Sequence, residues 1–289
     1  MNSIGFNLLT WSETLSDKLY PSIERLKSIG YDGIEYAMGS DDVDDYRKLG
    51  TFLDEIGMAC TCVLAVGPEE NPASSESSVR DAALDRIRWT IDRAGETGAS
   101  VICGPFHSAF AHFTQAAPTA DEQKRSAEVL RRAGEYAAEA NVVLALEALN
   151  RFECYLCNTS NQLLGLVEEV DHPNVRAMFD THHANIEEKS FGDAIRRLSP
   201  YLTHVHISEN DRGTPGDGHV NWDEVFGTLA DVAFDGWLTI EAFTREDPDF
   251  ANAINVWRSY SKPWEIAVDG HAFIKSKIAE TSIQNVERA

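Results

Sequence analysis

The sequence predicts an α/β fold, a single (β/α)8 or TIM barrel that spans residues 1–289 and carries a C-terminal helical extension. Short apolar, β-branched runs alternate with longer amphipathic stretches along the whole chain. Eight such units in 289 residues average about 36 residues each, the size of the units that close into a barrel of roughly 250 residues plus insertions. No linker, low-complexity segment or shift in composition marks a domain boundary.

The predicted strands and helices alternate in chain order. The strands are predicted at Ile4–Leu9, Gly33–Tyr36, Ala59–Ala65, Val101–Phe106, Val142–Leu149, Val175–Asp180, Leu202–Ser208 and Trp237–Phe243. The helices are predicted at Asp17–Ser28, Val43–Ile56, Val79–Thr97, Asp121–Ala140, Ser160–Val170, Phe191–Leu198 and Trp222–Val232, with a last one after Asp249. Gly30, Gly57 and Gly98 follow three of the helices and are typical helix stops, because glycine adopts the left-handed backbone there at little cost.

An open, doubly wound sheet is the alternative architecture. That fold has a G-x-G-x-x-G turn after its first strand. Here the first predicted strand is followed instead by Thr10-Trp-Ser-Glu13, which favours the barrel.

Composition limits the partners. The 47 acidic residues against 25 basic ones give a net charge of -22, which repels nucleic acid and anionic membrane surfaces. The N-terminus shows no secretory signal, and the longest uncharged stretch, residues 97–120, is too polar and too broken by proline to span a bilayer. Five cysteines, an odd number, argue against a disulfide framework and for a reducing compartment, so a cytoplasmic location is expected.

Four of the predicted strands carry a side chain that can bind a metal at or near their carboxyl end. These residues are Glu147, Asp180, His206 and Glu241, at intervals of 33, 26 and 35 residues. In a barrel the carboxyl ends of the strands meet at one mouth, where the active sites of such enzymes lie. Three carboxylates brought together there would repel one another without a cation. Three oxygen donors and one imidazole suit Mn²⁺, Mg²⁺ or Co²⁺.

Four segments carry a resemblance to a known family. They are Leu146-Glu-Ala-Leu-Asn-Arg-Phe-Glu153, Phe179-Asp-Thr-His-His-Ala-Asn-Ile-Glu-Glu188, the stretch from His204 to Trp222, and Gly236-Trp-Leu-Thr-Ile-Glu-Ala-Phe243. They resemble the D-tagatose/D-psicose (allulose) 3-epimerases, which belong to the xylose isomerase-like barrels of sugar isomerases and epimerases. The resemblance is dense from about Val142 to Phe243 and weaker elsewhere.

The resemblance implies roles for individual residues. It implies that Glu147, Asp180, His206 and Glu241 bind the metal, with Mn²⁺ favoured over Mg²⁺ and Co²⁺. It implies that Glu153, His183 and Arg212 hold the ketose oxygens near C1 to C3. Glu147 and Glu241 would also be the catalytic pair that removes a proton from one face of C3 and returns one to the other, through an enediolate.

The implied function is a metal-dependent ketose 3-epimerase that acts on a free sugar and forms a homo-oligomer, a dimer or a tetramer. A related sugar isomerase, acting on hydroxypyruvate or between aldose and ketose, and an inosose-type dehydratase are the alternatives that use the same site. An endonuclease IV-like phosphodiesterase is less favoured, because it needs a basic DNA-binding face and the net charge is -22.

Four further features of the sequence allow more than one structural role. Many relatives read Asp-Thr-Phe-His where this chain has Asp180-Thr-His-His183, and we interpret His182 as a supporting residue rather than a fifth ligand. Residues 104–113 are interpreted as a wall or lid over the site, with ordinary burial as the alternative. Glu35 could orient a metal ligand or cap a helix. The loop Gly213–Gly218 could bind a sugar phosphate, although Asp217 argues against an anion there.

Overall fold

The computed structural model describes residues 2–288, with side chains described for residues 2–281. Within these residues, eight parallel strands close into a barrel in sequence order, with β1 paired to both β2 and β8. The strands are β1 Ser3–Asn7, β2 Gly33–Ala37, β3 Ala59–Val63, β4 Val101–Gly104, β5 Val143–Leu146, β6 Val175–Asp180, β7 Leu202–Ile207 and β8 Trp237–Ile240. The predicted (β/α)8 barrel is confirmed.

Ten helices surround the strands in the described part of the chain. They are α1 Tyr20–Ile29, α2 Val43–Ile56, α3 Ser77–Thr97, α4 Ala120–Glu139, α5 Ser160–Val170, α6 Thr181–Glu187, α7 Phe191–Leu198, α8 Trp222–Asp231, α9 Pro248–Ala253 and α10 Pro263–Arg288. None of the helices in residues 2–288 is long and apolar enough to cross a bilayer.

The local signals in the sequence set the ends of several helices. Thr119 and Thr159 form capping boxes at the starts of α4 and α5. Gly30, Gly57 and Gly98 follow α1, α2 and α3 with φ of 117°, 63° and 75°, in the left-handed region that glycine tolerates. The three predicted helix stops are therefore confirmed.

The strands end earlier than the sequence predicts. Strand β5 stops at Leu146 rather than Leu149, and β3 stops at Val63 rather than Ala65. The apolar pattern continues because Leu64 and Leu149 are still buried beyond these strand ends, although Ala65 is exposed. Helix α6 was not predicted from the sequence. Two helices, α9 and α10, form where one helix after Asp249 was expected.

Candidate active site

Four side chains meet where β5, β6, β7 and β8 open into the mouth of the barrel. Asp180 is the last residue of β6, His206 lies next to the end of β7, and Glu147 and Glu241 directly follow β5 and β8. The backbone N–H groups of Glu147 and Glu241 still donate to the last carbonyls of β4 and β7, at 3.0 and 3.3 Å. All four residues are at most 5% exposed, so the strands hold them rigidly in a buried site.

Nδ1 of His206 lies at the centre of this cluster. It is 3.3 Å from Oε2 of Glu241, 3.5 Å from Oδ2 of Asp180 and 3.9 Å from Oε1 of Glu147. The structure therefore brings together the four residues that the strand spacing selected.

The other ring nitrogen of His206 faces a second buried acid. Nε2 lies 2.8 Å from Oε1 of Glu35, a fully buried residue of β2. Because a carboxylate accepts the N–H at this distance, we assign the proton to Nε2, which leaves the lone pair of Nδ1 directed at the three carboxylates. A histidine held in this way is typical of a metal ligand. Glu35 therefore contacts a candidate metal ligand, which matches the first of the two roles expected for it, orienting a ligand rather than capping a helix.

The residues present fit a divalent metal ion. Oε1 of Glu147 and Nδ1 of His206 are buried without a hydrogen-bond partner among the described residues. In the protonation state that binds a metal, with all three carboxylates ionised and His206 neutral, the carboxylates and the guanidinium of Arg212 leave two formal negative charges. A divalent cation would balance this charge and would give both atoms a partner. Oxygen donors with one imidazole suit Mn²⁺, Mg²⁺ or Co²⁺.

Arg212 contacts two of the carboxylates directly. Its Nη1 donates to Oε2 of Glu241 at 2.6 Å and to Oδ2 of Asp180 at 3.0 Å, and the guanidinium lies 4.7 Å from the ring centre of Phe243. Its backbone φ of 63° lies in the left-handed region, which is strained for a residue with a side chain. Strain of this kind persists where surrounding contacts fix a residue at a functional site.

Asn150 holds two further polar side chains beside the cluster. Its backbone N–H donates to Nδ1 of His183 at 3.1 Å, and its side-chain amide donates to Oε1 of Glu153 at 2.8 Å. Nε2 of His183 in turn lies 3.0 Å from Nη2 of Arg212 and 3.6 Å from Oε1 of Glu147. The residues that resemblance assigned to the sugar therefore lie together next to the four-residue cluster.

Burial and charge move the pKa values of the site in different directions. Burial raises the pKa of Glu147 well above its usual value. Burial opposes ionisation of Asp180 too, but the Arg212 guanidinium outweighs it and holds the pKa of Asp180 well below its usual value. Burial lowers the pKa of His206, yet the Glu241 carboxylate and other contacts raise it well above the usual value. A bound cation would oppose the raised values, because metal ligands are deprotonated, and would lower the pKa of Glu147 and of His206.

The cluster opens into a cavity of about 400 Å³ with two kinds of lining. The first, from the loops after β5 to β8, is polar and comprises Glu147, Glu153, His182, His183, Asn210, Asp211, Arg212 and Glu241. The second, which we call the apolar wall, comprises Leu9, Val63, Ala65, Pro105, Phe110, Phe250, Ile254, Val256 and Tyr260. Residues of the apolar wall lie at or after the carboxyl ends of β1, β3 and β4, and between residues 250 and 260. Glu13 also lines the cavity.

Residues 104–113 only partly match the expected wall or lid. Phe110 lines the cavity, whereas Phe106 and His107 are fully buried and Phe113 is 37% exposed. Nε2 of His107 lies 2.8 Å from the backbone carbonyl of Glu147, and burial lowers the pKa of His107 to about 4. His107 therefore supports the strand end as a neutral donor.

His182 lines the cavity but lies outside the group formed by Glu147, Asp180 and His206. Its Nδ1 is 3.3 Å from the carbonyl of Glu209, and its ring packs edge-on against that of His183. Burial lowers the pKa of His182 to about 4, so the ring is neutral at pH 7.

The loop that includes Gly213–Gly218 is built around the carboxylate of Glu209. The carboxylate of Glu209 accepts hydrogen bonds from the backbone N–H groups of Gly216 and Val220 and from Nε1 of Trp222, at 2.9 to 3.1 Å. The loop thus has an acid at its centre, which is unfavourable for a phosphate group.

Comparison with known proteins agrees with the geometry. The model of the xylose isomerase-like TIM barrel family matches residues 23–275. The chain belongs to this family. The D-psicose 3-epimerase of Agrobacterium fabrum is 31% identical over 263 residues, covering 89% of this chain and 90% of the relative. The D-psicose 3-epimerase of Ruminiclostridium cellulolyticum is 33% identical over 247 residues and 83% of each chain.

Solved structures of the family show the same likeness. A structure of L-ribulose 3-epimerase superimposes with a TM-score of 0.94 at 26% identity, over 100% of this chain and 98% of that one. A D-psicose 3-epimerase from Clostridium cellulolyticum H10, solved with D-tagatose, has a TM-score of 0.88 at 28% identity and covers 96% of this chain and 99% of its own. These relatives confirm two predictions. The first is the xylose isomerase-like family, and the second is an enzyme of the isomerase class, an epimerase.

Sequence reasoning assigned no role to several residues that shape the site of this family member. Asn150 lies within the segment 146–153, yet its contacts with His183 and Glu153 depend on the conformation of a loop, which the sequence pattern does not predict. Phe250 and Tyr260 belong to a region predicted only as a helix after Asp249. An asparagine between two candidate site residues, Glu147 and Glu153, was the one available signal.

Proposed function

We propose that the protein is a divalent-metal-dependent ketose 3-epimerase that inverts C3 of a free ketose through an enediolate. The observation that carries this proposal is the pair Glu147 and Glu241, which follow strands three positions apart around the ring and lie 3.9 and 3.3 Å from the same atom, Nδ1 of His206. Inversion at one carbon needs two acid–base groups on opposite faces. The names of the relatives, psicose, ketose and ribulose 3-epimerases, support the same reaction.

We propose Glu147, Asp180, His206 and Glu241 as the ligands of the metal, with Mn²⁺ as the favoured ion and Mg²⁺ or Co²⁺ as alternatives. When bound, such an ion supplies Lewis acidity that acidifies the C3 proton and stabilises developing negative charge. The buried, unpartnered Oε1 of Glu147 and Nδ1 of His206 support this ligand set.

Glu147 and Glu241 exchange the proton at C3 in this proposal. Both carboxyl groups lie beside Nδ1 of His206, and Glu241 is also paired with the Arg212 guanidinium. In one direction Glu241 removes the C3 proton and Glu147 returns one to the opposite face. The reverse reaction exchanges these roles, as microscopic reversibility requires.

Glu153, His183 and Arg212 orient the ketose oxygens near C1 to C3. Arg212 and His183 lie within hydrogen-bond distance of each other and beside the cluster, and Asn150 fixes Glu153 and His183 in place. The rest of the sugar then extends toward the apolar wall, which restricts its position by shape rather than by charge.

The charge of the cavity favours an unphosphorylated sugar. Among the residues that line it, Arg212 is the one Lys or Arg, and it is already paired with Asp180 and Glu241. Glu13 and Asp211 lie elsewhere in the lining, so a phosphate at the far end of the sugar would approach carboxylates.

The proposal is tested with chelated protein reloaded with Mn²⁺ and offered fructose, allulose, tagatose, sorbose and ribulose, alongside fructose 6-phosphate. We expect C3 epimers of free ketoses to form with Mn²⁺ and not after chelation, and fructose 6-phosphate to react poorly. Failure to form an epimer from any free ketose would contradict the function, and preferred turnover of the phosphate would contradict the substrate class.

We propose one domain over residues 1–289, a cytoplasmic location and a homo-oligomer, either a dimer or a tetramer. The five cysteines are all free and buried, which supports a reducing compartment. Light scattering on a size-exclusion column measures the oligomeric state, and a monomeric mass would contradict that proposal.

A further inference from the structure

The carboxylate of Glu35 is fully buried inside the barrel and serves as the acceptor for a group of polar side chains. Within hydrogen-bond distance of its two oxygens lie Asn7 Nδ2 at 2.9 Å, His206 Nε2 at 2.8 Å, Thr61 Oγ1 at 2.8 Å and Cys103 Sγ at 3.0 Å. Nε2 of His204 lies 3.0 Å away as well. A buried carboxylate with this many contacts is fixed in one orientation.

This network reaches two of the four proposed ligands. Glu35 contacts His206 directly. Asn7 contacts Glu35 and also lies 3.4 Å from Oε1 of Glu241. The Oδ1 atom of Asn7 accepts the N–H of Leu9 at 2.9 Å, which fixes the amide with its donor toward both acids. Strands β1 and β2 thus hold ligands that belong to β7 and to the end of β8.

We propose that Glu35 is a positioning residue that orients His206, with Nδ1 toward the three carboxylates, and thereby sets the affinity of the site for a divalent metal. This inference rests on the metal site of the proposed function. A glutamine at position 35 has one acceptor oxygen, and its NH₂ group would face donors that now share a carboxylate. Since the position is 0% exposed, water cannot replace the lost acceptor.

The test compares Glu35→Gln with Tyr36→Phe as a matched control. Tyr36 follows Glu35 in β2, is fully buried, and donates or accepts one hydrogen bond with Thr97 at 2.7 Å, away from the cluster. Both variants therefore lose buried hydrogen bonding from the same strand. The readout is the dissociation constant of Mn²⁺, measured without any sugar from the electron paramagnetic resonance signal of the free ion, with folding checked by circular dichroism.

We expect Glu35→Gln to weaken Mn²⁺ binding about 10- to 100-fold, the usual effect of removing a partner of a metal-binding histidine. Tyr36→Phe should stay within about twofold of the parent. A folded Glu35→Gln protein within twofold of the parent overturns the inference, and so does an equal loss in Tyr36→Phe. A parent that binds no Mn²⁺ overturns both this inference and the proposed metal site, so the two failures are distinguishable.

A second measurement needs only the unmodified protein and decides the question if Glu35→Gln does not fold. In the Co²⁺-loaded form, a histidine bound through Nδ1 keeps its Nε2–H, which gives a shifted proton resonance. Burial against Glu35 should make that proton exchange slowly with D₂O. A slowly exchanging signal supports the proposed orientation, and the absence of any such signal overturns it.

Discussion

The two halves of the barrel mouth differ in what their strands deliver. The carboxyl ends of β5 to β8 place Glu147, Asp180, His206 and Glu241 in the mouth, so this half carries the charge. The other half, after β1, β3 and β4, contributes most of its lining to the apolar wall, and its buried acid, Glu35, points to His206. One half therefore holds the groups that we propose to move protons, while the other shapes the cavity and contains the buried acid that we propose to position His206.

The largest effect should come from the charged half. Glu241→Gln removes a proposed metal ligand and one of the two proton-transfer groups, so we expect turnover to fall by more than about 1000-fold. The measurement is kcat for ketose epimerisation in saturating Mn²⁺. The control is Glu246→Gln, an exposed glutamate a few residues along the same loop, which should keep the parent rate. Parent-like turnover in Glu241→Gln would mean that the site is wrong.

A smaller loss should follow from Arg212→Ala. Its guanidinium is proposed to orient the ketose oxygens, and a hydrogen bond from a charged group contributes about 1.5–3 kcal/mol, so KM should rise about 10- to 100-fold with a smaller change in kcat. Arg151→Ala is the matched control, because Arg151 pairs with Glu187 at 2.7 Å on the surface. An unchanged KM in Arg212→Ala would remove Arg212 from the substrate site.

A histidine of the other half should affect stability rather than chemistry. Burial lowers the pKa of His107 to about 4 in the folded protein, against an unfolded value of about 6.5. The unfolded chain therefore binds the extra proton first as pH falls, and the stability due to neutral His107 is complete above pH 6.5 and is lost toward pH 4.

Between pH 7 and pH 5 this linkage should cost on the order of 2 kcal/mol of unfolding free energy. Urea denaturation of the parent and of His107→Gln at both pH values measures it, since the variant should lose this part of the pH dependence. Equal pH dependence in both proteins would show that His107 is not held neutral by burial.

The smallest effect should come from the apolar wall. Phe250 lines the cavity and packs edge-on against Phe243, with ring centres 5.4 Å apart. Phe250→Ala should change the ratio of KM values for ketohexoses and ketopentoses by about 3- to 10-fold, the effect of roughly 1 kcal/mol of apolar contact. Phe113→Ala, at a 37% exposed position, is the control. A loss of proton exchange in Phe250→Ala would contradict the division of roles between the charged half and the apolar wall.

The charged half could be predicted from the sequence because each of its four residues lies at, or directly after, the carboxyl end of a strand with a clear apolar pattern. Glu147, Asp180, His206 and Glu241 recur once per unit, and closure of the barrel brings them together. The short-range signals were equally informative at Gly30 and the other helix stops, where the backbone conformation depends on one residue.

The other half could not be predicted in the same way, because its contacts join distant parts of the chain. Glu35 and His206 are 171 residues apart, and Asn7 and Glu241 are 234 apart. The part of the apolar wall that follows β8 was not predicted either. Phe250 lies in the short helix α9 and Tyr260 in the irregular segment between α9 and α10, where no periodic pattern shows which side chains face the cavity. Only closure of the barrel reveals these neighbours.

Solvent proton exchange at C3 tests the central claim most directly. The Mn²⁺-loaded protein is incubated with a ketose in D₂O, and deuterium is located in substrate and product by NMR. Two carboxyl groups acting on opposite faces of C3 predict label at C3, lost in Glu241→Gln and retained in Phe250→Ala. Label at C1 or C2 would indicate an isomerase instead, and a lack of label at any carbon would contradict proton transfer by Glu147 and Glu241.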